Sequence, residues 1–236
     1  MLELIIPPAL LQNLVTVPAD RPVALLLRHS ARAPIPKGET GNDLPLTDRG
    51  VELARELGVK LKGHLATLHT SPVRRCVETA EHLRDGAGID CDIVPDRLLG
   101  APGIFIENAD IAWKTFQTHK YGELVTALIR GDDLVGMHHG PTAVRQLTEH
   151  MLAQTGGKPG IHVFVTHDFF VTTVAAVGLG FGFGNDESLT PEFLNGVLIW
   201  EHDQLQLRYN DYEGVIEWLQ EKEKTSNEVS FTTVSS

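Results

Sequence analysis

A chain of 236 residues, 42% of them hydrophobic and 22% charged, carries enough apolar side chains for one α/β domain with a large core. Its formal charge of -11 excludes a general binder of nucleic acid or of anionic membranes, either of which needs a broad basic face. Against that acidic background a local group of arginines reads as a focused anion site.

Residues 1–21 are apolar but broken by Pro7, Pro8 and Pro18, which predicts a packed arm or short helix. They show no basic leader ahead of a long apolar run, and no later segment is apolar over the thickness of a bilayer, so the expectation is a cytoplasmic protein without a membrane partner. Cys76 and Cys91 fit that compartment, because they form neither a disulfide framework nor a metal-ligand spacing, and Cys76 reads as core.

The run Val23 to Leu27 is too short for a helix and is preceded by Pro22, which predicts a buried strand. At its C-terminal end, where open α/β sheets place their chemistry, stand Arg28, His29 and Arg32. An arginine presents a fork of donors that matches a phosphoryl group, and a histidine among arginines is pushed toward its neutral, nucleophilic form. A Pro/Gly-rich loop from Ala33 to Pro45 follows, long enough to lie across the site. A helix is then predicted from Asp48 with Thr47 as N-cap and Val51, Ala54, Leu57 and Leu61 inward.

Ala66 to His69 predicts a second strand, and a helix from about Val73 turns Val73, Cys76, Val77, Ala80 and Leu83 inward. Arg74 and Arg75 then lie at the positive end of a helix dipole, which costs about 0.3–1 kcal/mol each when exposed and would be relieved by a bound anion. Cys91 to Val94 predicts a third strand. Residues 95–160 are expected to be helical cover and a substrate-facing lid, with helices near Tyr121–Ile129 and Pro141–Gln154 separated by a break at Gly131. Adjacent His138 and His139 point apart and have no partner at zinc spacing, so no metal is expected.

Ile161 to Thr166 predicts another buried strand, ending in His167 and Asp168 before a helix that runs to Leu179. Asp168 reads either as a helix cap or as a titratable group set at a strand end. Gly178 to Gly184 predicts a flexible turn, Val197–Glu201 and Leu205–Tyr209 a hairpin, and residues 221–236 a mobile tail. With neither repeat nor linker, residues 1–236 read as a single domain.

Three motifs stand in order: Arg28-His29-Ser30-Ala31-Arg32-Ala33-Pro34, Ser71-Pro72-Val73-Arg74-Arg75-Cys76-Val77-Glu78-Thr79-Ala80, and Thr166-His167-Asp168. Together they resemble the histidine phosphatase superfamily, and Pro45-Leu46-Thr47-Asp48-Arg49-Gly50 looks like the helix opening of its mutase-like branch. The resemblance implies a three-layer α/β/α sandwich with a mostly parallel central sheet, like that of phosphoglycerate mutase. It implies His29 as nucleophile, Arg28, Arg75 and His167 as holders of the phosphoryl oxygens, and no metal or cofactor. Arg32 and Asp168 match the extra arginine and proton donor of the acid phosphatase branch. The mutase branch takes its acid from a Glu after the third strand. Leu98-Leu99-Gly100-Ala101 offers none, leaving Glu107 as a substitute candidate. Ser30 stands where glycine is usual, and its hydroxyl is expected to donate to phosphate. The implied activity is hydrolysis of a phosphomonoester, small molecule or phosphoprotein, through a phosphohistidine. The alternatives are a mutase-like phosphotransferase and a noncatalytic phospholigand binder.

Overall fold

The computed structural model describes residues 4–180 and 190–216. Among these, seven strands form one sheet: β1 (Pro22–Arg28), β2 (Leu65–Thr70), β3 (Ile93–Pro95), β4 (Gly160–Thr166), β5 (Gly196–Glu201), β6 (Leu205–Tyr209) and β7 (Tyr212–Ile216). The spatial order is β3-β2-β4-β1-β5-β6-β7. The first four strands are mutually parallel, and β5 then pairs antiparallel with β1 and carries the sheet into the β5-β6-β7 meander. The helices are α1 (Pro8–Thr16), α2 (Asp48–Leu61), α3 (Arg74–Ala87), α4 (Ala109–Thr118), α5 (Tyr121–Arg130), α6 (Gly140–Gln154) and α7 (Asp168–Leu179).

Because β1 lies between β4 and β5 and is covered on both sides, its apolar run has no polar alternation to show. Its side chains nonetheless part by the period of two. Val23, Leu25 and Leu27 pack with Leu10, Leu53, Leu57, Cys76 and Leu83 from α1, α2 and α3. Ala24 and Leu26 face the opposite layer, with Leu124, Leu128, Val144, Leu147, Val171 and Val174 from α5, α6 and α7. Three layers result, α/β/α.

The helices following the adjacent parallel strands β1 and β4 lie on opposite faces, α2 on one and α7 on the other. Their connections diverge and open a crevice beyond the strand ends, the place where such sheets bind ligands. Register brings the key positions to one level: His29 N–H donates to Thr166 O at 2.9 Å, and Ser71 N–H to Val165 O at 2.9 Å.

Thr47 caps α2 as expected, its hydroxyl accepting from Gly50 N–H at 3.1 Å. The inward faces of α2 and α3 are rotated slightly from the expected ones: Leu53 and Thr79 are fully buried, whereas Val51 and Val77 are half-buried. Gly50 matters to the site, because a Cβ there would stand 2.1 Å from Ala31 O. Only glycine lets the start of α2 press against the loop that carries His29. Helix α4 and strand β7 were not anticipated. α4 buries only the small Ala112 and Thr115, too slight a stripe to announce a helix. Of the expected turn at Gly178–Gly184, residues 181–184 lie outside the described residues, as does the expected tail at 221–236.

Candidate active site

The end of β1 supplies His29, 2% exposed, whose Nδ1 lies 2.7 Å from Ser30 O. Arg75 Nε–H donates to His29 Nε2 at 3.0 Å. A guanidinium can only donate, so Nε2 carries the lone pair and Nδ1–H donates to the carbonyl. Burial holds the imidazole well below its ordinary pKa, and the neighbouring His167 and Arg75 push it the same way. His29 is therefore a neutral ring with a fixed tautomer.

Arg75 comes from the first turn of α3 and is itself 7% exposed. Its other nitrogens reach Gly41 O at 2.8 Å and His167 Nδ1 at 3.1 Å. His167 Nδ1 must accept, which leaves its Nε2–H to donate to Ser71 Oγ at 3.2 Å. Burial first, and Arg75 next, lower the His167 pKa from its ordinary value. The two imidazoles meet edge to face with centroids 5.7 Å apart. Gly100 permits this arrangement, since a Cβ at that position would lie 2.6 Å from Ser71 Oγ and 2.7 Å from His167 Nε2.

Arg28 pairs through Nη2 with Asp168 Oδ2 at 2.8 Å, donates through Nη1 to Pro191 O, and lies over the Phe193 ring at 4.3 Å. Asp168 also accepts the Phe169 N–H through Oδ1 at 2.8 Å, so it serves the start of α7 while facing the arginine. Arg32 donates to Ala33 O at 2.8 Å, and its pKa is lowered by burial and then by Arg75. The Nε atoms of Arg28 and Arg32 are buried donors with no partner among the described residues. Three guanidiniums thus gather near His29, and among the described residues one carboxylate, Asp168, is paired with one of them, Arg28. Such a concentration of buried positive charge favours a multiply charged anion.

Ser30 departs from the expectation. It is fully buried, its Oγ–H donates to Gly50 O at 2.6 Å, and its N–H donates to Thr79 Oγ1 at 3.0 Å. The hydroxyl proton is committed to α2 rather than free for a phosphate. Arg74 is exposed and paired with Glu78 at 2.7 Å, outside the cluster. Glu107 is exposed and does not line the cavity next to the cluster. Cys76 is buried behind His167, and burial pushes its thiol up to about 12, which leaves it an inert core group. Sequence reading passed over Ser71, Thr79, Gly100 and Phe193. Ser71 alone had a local signal, preceding Pro72 and a helix start.

A cavity of about 910 Å³ adjoins the cluster, with Arg75 and His167 in its lining and residues 100–116 contributing much of the wall. His139 caps α6, its Nδ1 lying 2.9 Å from Thr142 Oγ1. Among the described residues no helix is long and apolar enough to cross a membrane.

No curated protein sequence matches the chain. Solved structures share its fold. A phosphoserine phosphatase from Entamoeba histolytica, crystallised with phosphoserine, is 17% identical, covering 80% of this chain and 97% of that one with a TM-score of 0.56. A mycobacterial glucosyl-3-phosphoglycerate phosphatase is 16% identical over 80% and 96% of the two chains, with a TM-score of 0.55. The family described as histidine phosphatase superfamily (branch 1) matches residues 24–98, a stretch that holds Arg28, His29, Arg32 and Arg75 but ends before His167 and Asp168. Residues 24–98 thus match the histidine phosphatase superfamily (branch 1) model, and the fold is the one these phosphatase structures share.

Proposed function

We propose that this protein is a phosphomonoester hydrolase that works through a phosphohistidine on His29, without a metal. The observation that carries the reading is the tautomer of His29: Nδ1–H is held by the Ser30 carbonyl at 2.7 Å, and the lone pair of Nε2 faces Arg75 at 3.0 Å. A phosphoryl group entering between them accepts the Arg75 N–H and receives the Nε2 lone pair on phosphorus. Arg28, Arg32 and Arg75 spread the charge that develops on the equatorial oxygens, which is where catalysis of phosphoryl transfer is gained. The dianion beside His167 offsets the arginine charge and lets its ring take part in holding an oxygen.

In the first step the Nε2–P bond forms and the P–O bond to the alcohol breaks, with Asp168 taking the proton of the entering phosphate monoanion and delivering it to the departing oxygen. In the second, Asp168 takes a proton from water as the water oxygen attacks phosphorus, and the N–P bond breaks to release inorganic phosphate and neutral His29. Asp168 is the acid in this scheme because it sits on Arg28 at 2.8 Å, inside the cluster, whereas Glu107 is exposed.

The test is metal-free hydrolysis of p-nitrophenyl phosphate with rapid-quench trapping of an acid-labile phosphoenzyme. His29→Ala is expected to abolish labelling and to lower kcat by at least about a thousandfold. Turnover by wild type without labelling, or labelling that survives the substitution, would remove His29 as nucleophile.

A further inference from the structure

We infer that the alcohol side of the substrate is a bulky apolar group, aromatic or branched, carrying no second anionic charge. This deepens the phosphatase reading and rests on it for the position of the phosphoryl group.

The cavity of about 910 Å³ leads away from Arg75 and His167, so whatever is esterified to a phosphoryl group held there must occupy it. Its wall is aromatic: Phe105, Phe116, Phe169 and Phe170, with Trp113 nearer solvent. The rings brace one another. Phe105 meets Phe170 with centroids 5.0 Å apart at 71° and Phe169 at 5.6 Å and 83°, and Phe116 meets Phe169 at 5.5 Å and 68°. Phe169 and Phe170 are 7% and 5% exposed, and Phe105, fully buried, braces them from behind, so the wall is packed and preformed.

The charges along the cavity point the same way. Beyond Arg75, its lining contains one further arginine or lysine, Lys114, and that residue is exposed, while the exposed Glu39 and Asp110 contribute two negative charges. A carboxylate reaching into the aromatic part of the cavity, beyond Arg75, would have to lose water against phenyl rings, with no buried cation among the described lining residues there to receive it. An apolar group gains from the same wall.

Calorimetry on the full chain separates ligand class from chemistry by using two non-hydrolysable phosphonates, 1-naphthylmethylphosphonate and 2-carboxyethylphosphonate. The naphthyl compound is expected to bind at least about tenfold more tightly, in competition with inorganic phosphate. Trp113→Ala, a change at the rim, is expected to reduce that ratio at least about threefold while leaving the affinity for inorganic phosphate unchanged. Equal binding of the two phosphonates, or a ratio indifferent to Trp113→Ala, overturns the inference. A parallel comparison of 2-phenylethyl phosphate with O-phosphoserine, both primary alkyl esters, reads the chemistry. Hydrolysis of both at similar kcat/KM sinks the apolar assignment and keeps the phosphatase. Tight naphthyl binding with neither ester cleaved keeps the ligand class and sinks the phosphatase.

Discussion

Two residues illustrate how a side chain's surroundings decide its role. Asp168 is tied to Arg28 Nη2 at 2.8 Å and to the Phe169 N–H at 2.8 Å, a geometry that holds one carboxylate beside the cluster. If it is the proton donor, Asp168→Asn lowers kcat for an alkyl phosphate by about 10²–10⁴ and affects a nitrophenyl ester much less, because a phenolate departs without a proton. Equal losses on both esters count against the acid role. Ser30 was expected on the phosphate, but its hydroxyl holds Gly50 O at 2.6 Å. Ser30→Ala is therefore expected to cost about 1 kcal/mol of stability in urea unfolding, by removing a buried hydrogen bond that ties the loop to α2, with KM changed by less than about threefold. A tenfold rise in KM at unchanged stability would return the hydroxyl to the ligand. No spacing argument could separate these roles, since the direction of a hydroxyl depends on which backbone lies opposite it.

Among the elements, the start of α2 and the loop after β1 behave as one unit. Thr47 N–H donates to Ala31 O at 2.9 Å, Ser30 holds Gly50 O, and the glycine's missing Cβ would stand 2.1 Å from Ala31 O. Gly50→Ala must push the helix off the loop, at about 1–3 kcal/mol in thermal unfolding, and must displace His29 with it. The expected outcome is a fall in kcat larger than any rise in KM, measured on p-nitrophenyl phosphate; unaltered kcat would show that the loop keeps its position without the helix. The helix start itself was legible from Thr47-Asp48-Arg49-Gly50, because capping is a local interaction. The docking of that start on Ala31 was not, because it joins residues that meet only once β1 is in its sheet.

Across the whole molecule, buried imidazoles set the response to acid. His29, His69, His162 and His167 all have pKa values lowered chiefly by burial. Each binds its proton less readily in the folded state than in the unfolded chain, which takes one up below about pH 6.5. Above that pH they contribute nothing to the pH dependence. Below it each removes up to about 1.4 kcal/mol per pH unit until the folded pKa is reached, so stability falls as pH drops. His69 lies outside the arginine cluster, stacked on Phe164 at 4.6 Å with its Nε2 buried and unpartnered among the described residues. His69→Phe is expected to keep the stack, to leave stability at pH 7.5 unchanged or higher, and to flatten the loss measured by urea unfolding between pH 7.5 and 5.5. An unchanged slope would show that His69 binds its proton equally in the folded and unfolded states.

By itself the sequence determined the α/β class, the buried strand that ends in Arg28 and His29, its counterpart ending in His167 and Asp168, and the helix start that presents Arg75. These follow from apolar runs, punctuation and caps, which act over a few residues. Only the tertiary structure decided that Arg75 donates to His29 Nε2, that Ser30 turns to Gly50, and that Gly100 leaves room for the Ser71 to His167 bond. It also decided that α4, nearly silent in its own periodicity, closes an aromatic cavity beside the arginines. The reason is physical: a side chain's hydrogen-bond partner and the shape of a cavity depend on groups brought together by the sheet from positions as far apart as 29, 75 and 167.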